Sequence, residues 1–542
     1  MRFIFFQTAG RVRASPPLML QDHPLWRRFT ARLHIIVATL VALVAAVVFG
    51  LSAGAGDFSL IGMGLGLAFL LAIMNQMGSR YWLVIPFAFV SQLAAIPVGG
   101  KLLELPEVVT FVCLMYFLVQ LALKKQKFTF FRKGHVPVQL YAAWALVVFM
   151  NNPVGLNEMG SSLGGLRFYG KIGLALIAFL LVANQEVGER ECKWVLIIFV
   201  SGAFLASAQE VFFLFFPRVD SNVLREIDED SFYTWHQVLS VVPLLMIQLL
   251  FSRYRSSQIF SFHRIWLLGL FLACVGMVVL SGKRGAVASV PFFAVAAAFM
   301  RREFGFLFLW LVGAGLACAI VIVGHGELFH LSLTAQRALS FLPARWDVEI
   351  ASVAGGKDDF RDMLRLLARE KIQRDPWVGT GYKIDNRMME MALTKAVTGI
   401  EDQVLPYALG SAWHNTWLGY AADFGIPASI LVGIIFLWVL YGSWTLFRAS
   451  PPNSLTQTLA FFIFLFTFRD VVFSNTGGHS ALDAYARWWV YGLLVALTLT
   501  NRQRQAAQPP STVLARGRAV DEPAFAARPA GLPATAPRPS RF

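Results

Sequence analysis

Residues 265–324 read IWLLGLFLACVGMVVLSGKRGAVASVPFFAVAAAFMRREFGFLFLWLVGAGLACAIVIVG. Three apolar runs are interrupted only by Ser281-Gly-Lys-Arg284 and by Arg301-Arg302-Glu303. A helix rises about 1.5 Å per residue, so about 20 apolar residues cross a hydrocarbon layer about 30 Å thick. The whole 542-residue chain is built this way: 57% of it is hydrophobic and only 15% charged, more apolar material than one soluble core can bury. The expected fold is an all-α polytopic membrane protein of about fourteen transmembrane helices.

Outward from that stretch, the spans fall at about 34–53, 57–76, 81–98, 104–123, 136–151, 167–184, 193–216, 235–252, 265–281, 285–300, 304–324, 415–442, 456–475 and 483–500. Loops on one side carry Arg27, Arg28, Arg80, Lys124, Lys125, Arg190, Arg253, Arg301, Arg302, Arg448 and Arg502, whereas the opposite short loops hold few cations. The positive-inside bias puts both termini in the cytoplasm. The organisation expected is a cytoplasmic segment 1–33, spans 1–11 over 34–324, one large external loop 325–414, spans 12–14 over 415–500, and a tail 501–542. That tail is rich in Ala, Pro and Arg and has little to bury, so disorder is expected. The net charge of +15 is spread over short loops and the tail, which suits membrane lipid headgroups and excludes a nucleic-acid-binding stripe. The four cysteines lie within spans or at their ends without a C-x-x-C pair, so neither a disulfide framework nor a zinc site is indicated.

A polar insert this long among short connections points to function. Within it Phe360, Met363, Leu364, Leu367 and Ile372 recur at helical spacing. Asp358 or Asp359 is the expected cap, and Asp375-Pro376 the stop. Such a short amphipathic helix either lies on the membrane surface or packs on the rest of the loop. Four groups distant in sequence, Arg284, Arg167, Arg361 and His414 with its neighbour Asn415, map to the face of this insert. Arg284 either binds phosphate oxygens through its planar fork or snorkels at the interface. His414 is a candidate base near neutral pH or a structural histidine at a helix start. Asn415 either orients a substrate or caps the next helix. Arg167 and Arg361 have the same two readings, a substrate contact or a solvated cation. His236, His325, His330 and His479 compete with His414, and no spacing among them recommends a metal. Deeper in the spans, Glu210, Asp423 and the neighbours Arg469-Asp470 are ionisable, the last two read as a mutually satisfying pair.

Three motifs, in order, carry a resemblance. Ser281-Gly-Lys-Arg284-Gly-Ala resembles the S/T-x-x-R-G-A motif of the O-antigen ligase and O-antigen polymerase superfamily. Arg361-Asp-Met-Leu followed by Pro376-Trp-Val-Gly379-Thr-Gly381 resembles its arginine and P-x-x-G-x-G turn. His414-Asn-Thr-Trp-Leu, running to Asp423-Phe-Gly425-Ile, is similar to its H-N-x-x-L…E-x-G-I segment, with Asp423 where glutamate is usual. The resemblance covers about 265–445. It implies a bacterial inner-membrane glycosyltransferase of surface-polysaccharide biosynthesis, taking undecaprenyl-diphosphate-linked glycan at a periplasmic loop. It further implies a glycan or lipid A-core acceptor, inversion at the anomeric carbon, and neither metal nor cofactor. His414 would be the base, with Arg284, Arg361 and Arg167 on the diphosphate. The alternative class is a multi-span solute transporter, favoured by the intramembrane charges.

Overall fold

The computed structural model describes residues 59–91, 96–98, 101–123, 126, 128–129, 133–154, 165–215, 227–382, 413, 415–473 and 487–507. Over these residues the chain is a helical bundle. Its first half contains α1 (Ser59–Met77), α2 (Val84–Ser91), α3 (Leu105–Ala122), α4 (Val136–Asn151), α5 (Leu166–Ala183), α6 (Glu189–Phe215) and α7 (Ile227–Arg253). The second half holds the one-turn α8 (Ser256–Ile259), then α9 (Ile265–Leu280), α10 (Arg284–Met300), α11 (Phe304–Gly324), α12 (Leu333–Leu339), α13 (Val348–Arg374), α14 (Thr416–Ala449), α15 (Leu455–Val472) and α16 (Trp488–Ala507). The expected segment 1–33 and first span 34–53 lie outside the described residues.

Among the described residues, six helical stretches are long and apolar enough to cross a membrane: Leu105–Ala122, Leu166–Ala183, Phe262–Leu280, Phe304–Gly324, Thr416–Ala449 and Leu455–Val472. Val136–Asn151, Ser240–Arg253 and Arg284–Met300 are apolar but shorter. The expected span at 81–98 is not one helix. A 3-10 turn (Gly78–Leu83) leads into the short α2, and the strands β1 (Ile96–Val98) and β2 (Lys101–Leu103) then pair as an antiparallel hairpin with Val98 opposite Lys101. Pro97 lacks the N–H a helix needs and Gly99-Gly100 disfavours one, so the apolar run turns back on itself. The last helix runs to Ala507, past the expected boundary at 500.

Exposed apolar faces identify the surroundings. Along α11, Phe308 (67%), Leu316 (61%) and Val323 (66%) are bare, as are Leu437 on α14 and Met150 on α4. Protein surfaces in water do not present apolar stripes of this length, whereas lipid covers them without cost. The chain is a helical membrane protein. Its core closes where α5 crosses α16: a Cβ on Gly492 would lie 2.5 Å from the Phe179 carbonyl oxygen, and the buried Ala175, Ala178 and Ala496 keep the two backbones close.

The insert folds back onto the bundle. α12 packs on α9 and α10, and α13 packs on α12 and α14. α13 begins at Val348, about three turns before the expected cap at Asp358 or Asp359. The Gln336 amide fixes that earlier start by donating to the Asp347 carboxylate at 2.7 Å and accepting the Asp347 N–H at 3.1 Å. The end at Arg374, before Asp375-Pro376, is as expected. Leu364, Ala368 and Lys371 form the buried stripe at i, i+4 and i+7, so the helix lies on protein rather than flat on a membrane surface.

Candidate functional site: a turn seated in a broken helix

α14 is not continuous. Gly425 takes φ 78° and ψ 166°, and Pro427 follows it. In an intact helix the Asp423 carbonyl would receive the N–H of residue 427, but proline has none, so the break leaves several backbone groups without partners. Four of them find partners outside the helix. The Ala422 carbonyl accepts Thr380 N–H at 3.2 Å and the Asp423 carbonyl accepts Gly381 N–H at 2.8 Å. Ile426 N–H donates to the Pro376 carbonyl at 2.8 Å, and the Trp144 indole N–H donates to the Phe424 carbonyl at 2.8 Å. The turn after α13 thus fills the gap in α14.

Only glycines permit the fit. A Cβ on Gly379 would lie 2.5 Å from Gly425 N, and one on Gly425 would lie 1.9 Å from the Trp377 carbonyl oxygen. Both have positive φ, which a side chain disfavours independently of space. The same turn reaches the first half of the chain. Asn152 at the end of α4 donates from Nδ2 to the Gly379 carbonyl at 3.0 Å. Gly165 N–H donates to the Tyr382 carbonyl at 2.9 Å, and Tyr382 N–H to the Tyr169 hydroxyl at 3.3 Å. Burial first, with the Asp423 charge second, holds the Tyr382 phenol well above 10.

At the centre sits Asp423, fully buried. The Trp413 indole N–H donates to both of its carboxylate oxygens at 3.2 Å. Lys371 Nζ, from α13, lies 4.0 Å from Asp423 Oδ1 and 4.8 Å from the centre of the Trp413 ring. A buried carboxylate is tolerable only when a cation and hydrogen bonds replace its water. Here one carboxylate joins three segments: the insert helix, the broken helix and the residue before His414.

The structure brings the sequence candidates to one end of the bundle but gives them different duties. His414 lies outside the described residues; its neighbours Trp413 and Asn415 are both buried and held. Asn415 caps α14, its Oδ1 accepting Leu418 N–H at 3.0 Å. Arg284 is the first residue of α10, half-buried, after a turn in which Gly282 has φ 68° and Ser281 Oγ donates to the Val278 carbonyl at 2.6 Å. Arg361 is half-buried on α13, almost three turns before Lys371. Arg167 does not simply snorkel: it lies 3.5 Å from Glu107 and 3.8 Å from Glu104, the carboxylates that cap α3. Arg469 and Asp470 do not form the expected self-contained pair, because adjacent helical residues point apart. Asp470 instead meets Arg487 at 3.1 Å. Within the insert, His325 packs against Trp346 and accepts Leu331 N–H at its Nδ1. The side chains of Glu210 and His236, and all of His479, lie outside the described residues. Among the described residues no three His, Cys, Asp or Glu side chains gather as metal ligands.

Sequence reasoning missed Lys371, Trp413, Trp144, Tyr169 and Tyr382. Each is an ordinary amphipathic or apolar residue in its own segment, and only the break in α14, marked by Gly425-Ile-Pro427, hinted that something must dock there.

These features define a helical membrane protein with an insert keyed into one broken helix. No family model matches the chain, and no curated protein matches its sequence.

Proposed function

We propose that the chain is a membrane glycosyltransferase of the O-antigen ligase and polymerase type, working from undecaprenyl-diphosphate-linked glycan on the periplasmic face of a bacterial inner membrane. The observation that supports this reading most is the joint itself. The Pro376–Gly381 turn and the Asp423–Pro427 break, two separate segments of the resemblance, interlock, and Asp423 of the break holds Trp413, the residue before His414.

In the reaction, the acceptor hydroxyl oxygen bonds to the anomeric carbon as the bond from that carbon to the diphosphate oxygen breaks. The hydroxyl proton passes to His414, and the electron pair leaves on the lipid diphosphate. Attack opposite the leaving group inverts the anomeric centre. Arg284 and Arg361 lie on the end of the bundle where the insert packs, and guanidinium groups there offset charge developing on the leaving oxygens. Arg284 begins α10 and Thr416 begins α14, so two helix N-termini add their positive ends to the same face.

The test uses purified full-length protein, lipid-linked donor glycan and acceptor, with excess chelator. His414→Ala is expected to lose roughly 10²–10⁴-fold in turnover, the usual share of general acid–base catalysis, while keeping its melting temperature and donor binding. Transfer at the wild-type rate in that variant overturns the mechanism. A wild type that transfers no glycan but carries solute into vesicles overturns the enzyme reading in favour of a transporter.

A further inference from the structure

At the end of the bundle opposite the insert there is a cavity of about 980 Å³. Cavities of roughly 300–1,000 Å³ hold small organic molecules, so this one is large for a site of that kind. Its wall comes from the 3-10 turn before α2, from Gln126 beyond α3, from the link between α5 and α6, and from the last turns of α16. Part of that wall is fixed. Arg80 Nε donates to Glu191 Oε1 at 2.7 Å, Gly188 N–H donates to Glu191 Oε2 at 3.0 Å, and Val187 N–H donates to Thr500 Oγ1 at 3.1 Å. Burial, the largest single influence, raises the Glu191 carboxyl, but the Arg80 hydrogen bond and charge together with backbone N–H donors outweigh it and hold the group below its ordinary range.

Two charged side chains in the wall are not used in this way. Arg504 and Glu186 line the cavity, are exposed, and make no hydrogen bond or ion pair with any described residue. Arg80 and Glu191 cancel one another, so the described lining residues offer one available guanidinium and one available carboxylate among neutral side chains. A purely anionic ligand would meet Glu186 as a repulsive group. A ligand bearing both charges satisfies both side chains.

Depth identifies its source. α5 is apolar to Ala183 and turns polar at Asn184, while α16 is apolar through Leu499 and turns polar at Thr500. The cavity straddles that level, where hydrocarbon gives way to headgroups. We propose that it binds the headgroup of a zwitterionic phospholipid of the phosphoethanolamine type, phosphate on Arg504 and ammonium on Glu186. Gly188 keeps the site open, because a Cβ there would lie 2.8 Å from Glu191 Oε2 and 3.0 Å from an Arg504 terminal nitrogen. The site stands apart from the insert and does not depend on the glycosyltransferase reading.

The experiment measures the melting temperature of delipidated full-length protein in detergent, and its lipid adducts by native mass spectrometry, against added phosphatidylethanolamine, phosphatidylglycerol and glycerophosphoethanolamine. Phosphatidylethanolamine is expected to raise the melting temperature and form a one-to-one adduct. Arg504→Gln and Glu186→Gln, both surface changes that leave folding intact, are each expected to weaken that binding about tenfold or more, as loss of a charged hydrogen bond does. Equal stabilisation by phosphatidylglycerol, or unchanged binding in Glu186→Gln, overturns the zwitterion assignment. Glycerophosphoethanolamine acting as strongly as the lipid overturns the membrane source. No response to any of the three overturns the site.

Discussion

The two ends of the bundle solve opposite problems with the same kinds of residue. At the insert end, a carboxylate, an ammonium and a line of freed backbone groups are buried and matched to one another: Asp423 to Trp413 and Lys371, and the carbonyls of 422–424 to Thr380, Gly381 and Trp144. At the other end, Arg504 and Glu186 face an open cavity unmatched by any described residue. A buried joint whose backbone groups and charges are matched in this way gives rigidity, because alternative arrangements leave those groups without water or partner. A half-exposed wall with available charges costs little to keep and is free to take a ligand. The first end is therefore sensitive to single atoms and the second is tolerant.

Glycine substitutions test that contrast most severely. Gly425→Ala places a methyl 1.9 Å from the Trp377 carbonyl at a positive φ, against backbone that is itself locked. The expected outcome is loss of the folded peak in fluorescence-detected size exclusion. Gly188→Ala meets only the tips of Glu191 and Arg504, which can swing aside, so its cost is expected within about 1 kcal/mol. A Gly425→Ala protein melting within a degree or two of wild type would falsify the seated turn.

The charge pair comes next. Asp423→Asn keeps an acceptor for Trp413 but removes the carboxylate beside Lys371, and Lys371→Met removes the ammonium beside Asp423. Removing one partner of a buried pair costs about 3–5 kcal/mol. The double variant Lys371→Met, Asp423→Asn removes both charges together and is expected to recover most of that loss. Thermal melts of the four proteins form a double-mutant cycle, and additive losses would mean that the two groups do not interact.

What the sequence disclosed follows from range. Six of the expected spans were legible because each is a local run of apolar residues, and the stop of α13 was legible because Asp375-Pro376 ends a helix through its own backbone. The start of α13 was not, since Gly355-Gly356 lies inside the helix and its fixing contact, Gln336 with Asp347, is outside the periodic stretch. The span expected at 81–98 failed for a related reason: hydrophobicity reports burial in lipid or protein but not backbone conformation, and Pro97 decided the latter. The candidate site was half legible. Gly379, Gly381, Gly425 and Pro427 advertise a turn and a break, yet nothing local says that one fills the other. Nothing in its own segment marks Lys371, because its partner is fifty-two residues away.

Arginines at the insert end offer a subtler comparison. Arg167 already faces Glu104 and Glu107, with Lys171 on Glu104 at 2.5 Å, so a second ammonium can serve there nearly as well. Arg167→Lys is expected to keep transfer within about threefold, because a partly exposed ion pair is worth no more than about 1 kcal/mol. Arg284→Lys is expected to lose about tenfold or more, since an ammonium cannot reproduce a bidentate grip on phosphate. Steady-state transfer with lipid-linked donor reads both, and equal behaviour of the two variants removes the distinction between a structural and a substrate-binding arginine.

The smallest effect concerns Asn415, where two duties compete. Its Oδ1 accepts Leu418 N–H at 3.0 Å, and the side chain is only 8% exposed, which describes a helix cap. Losing a cap costs about 1 kcal/mol, so Asn415→Ala is expected to lower the melting temperature by a few degrees. Asn415→Asp keeps the accepting oxygen and adds a charge that the helix N-terminus favours, so its melting temperature is expected to match wild type. Transfer then separates the roles. If the cap is the whole duty, Asn415→Asp works at the wild-type rate, because the start of α14 and the chain leading into it are unchanged. If Asn415 also donates its amide N–H to substrate, the aspartate cannot, and transfer falls about tenfold or more while stability holds. The geometry favours the first outcome, since the oxygen is already committed to the backbone and the side chain is almost wholly covered.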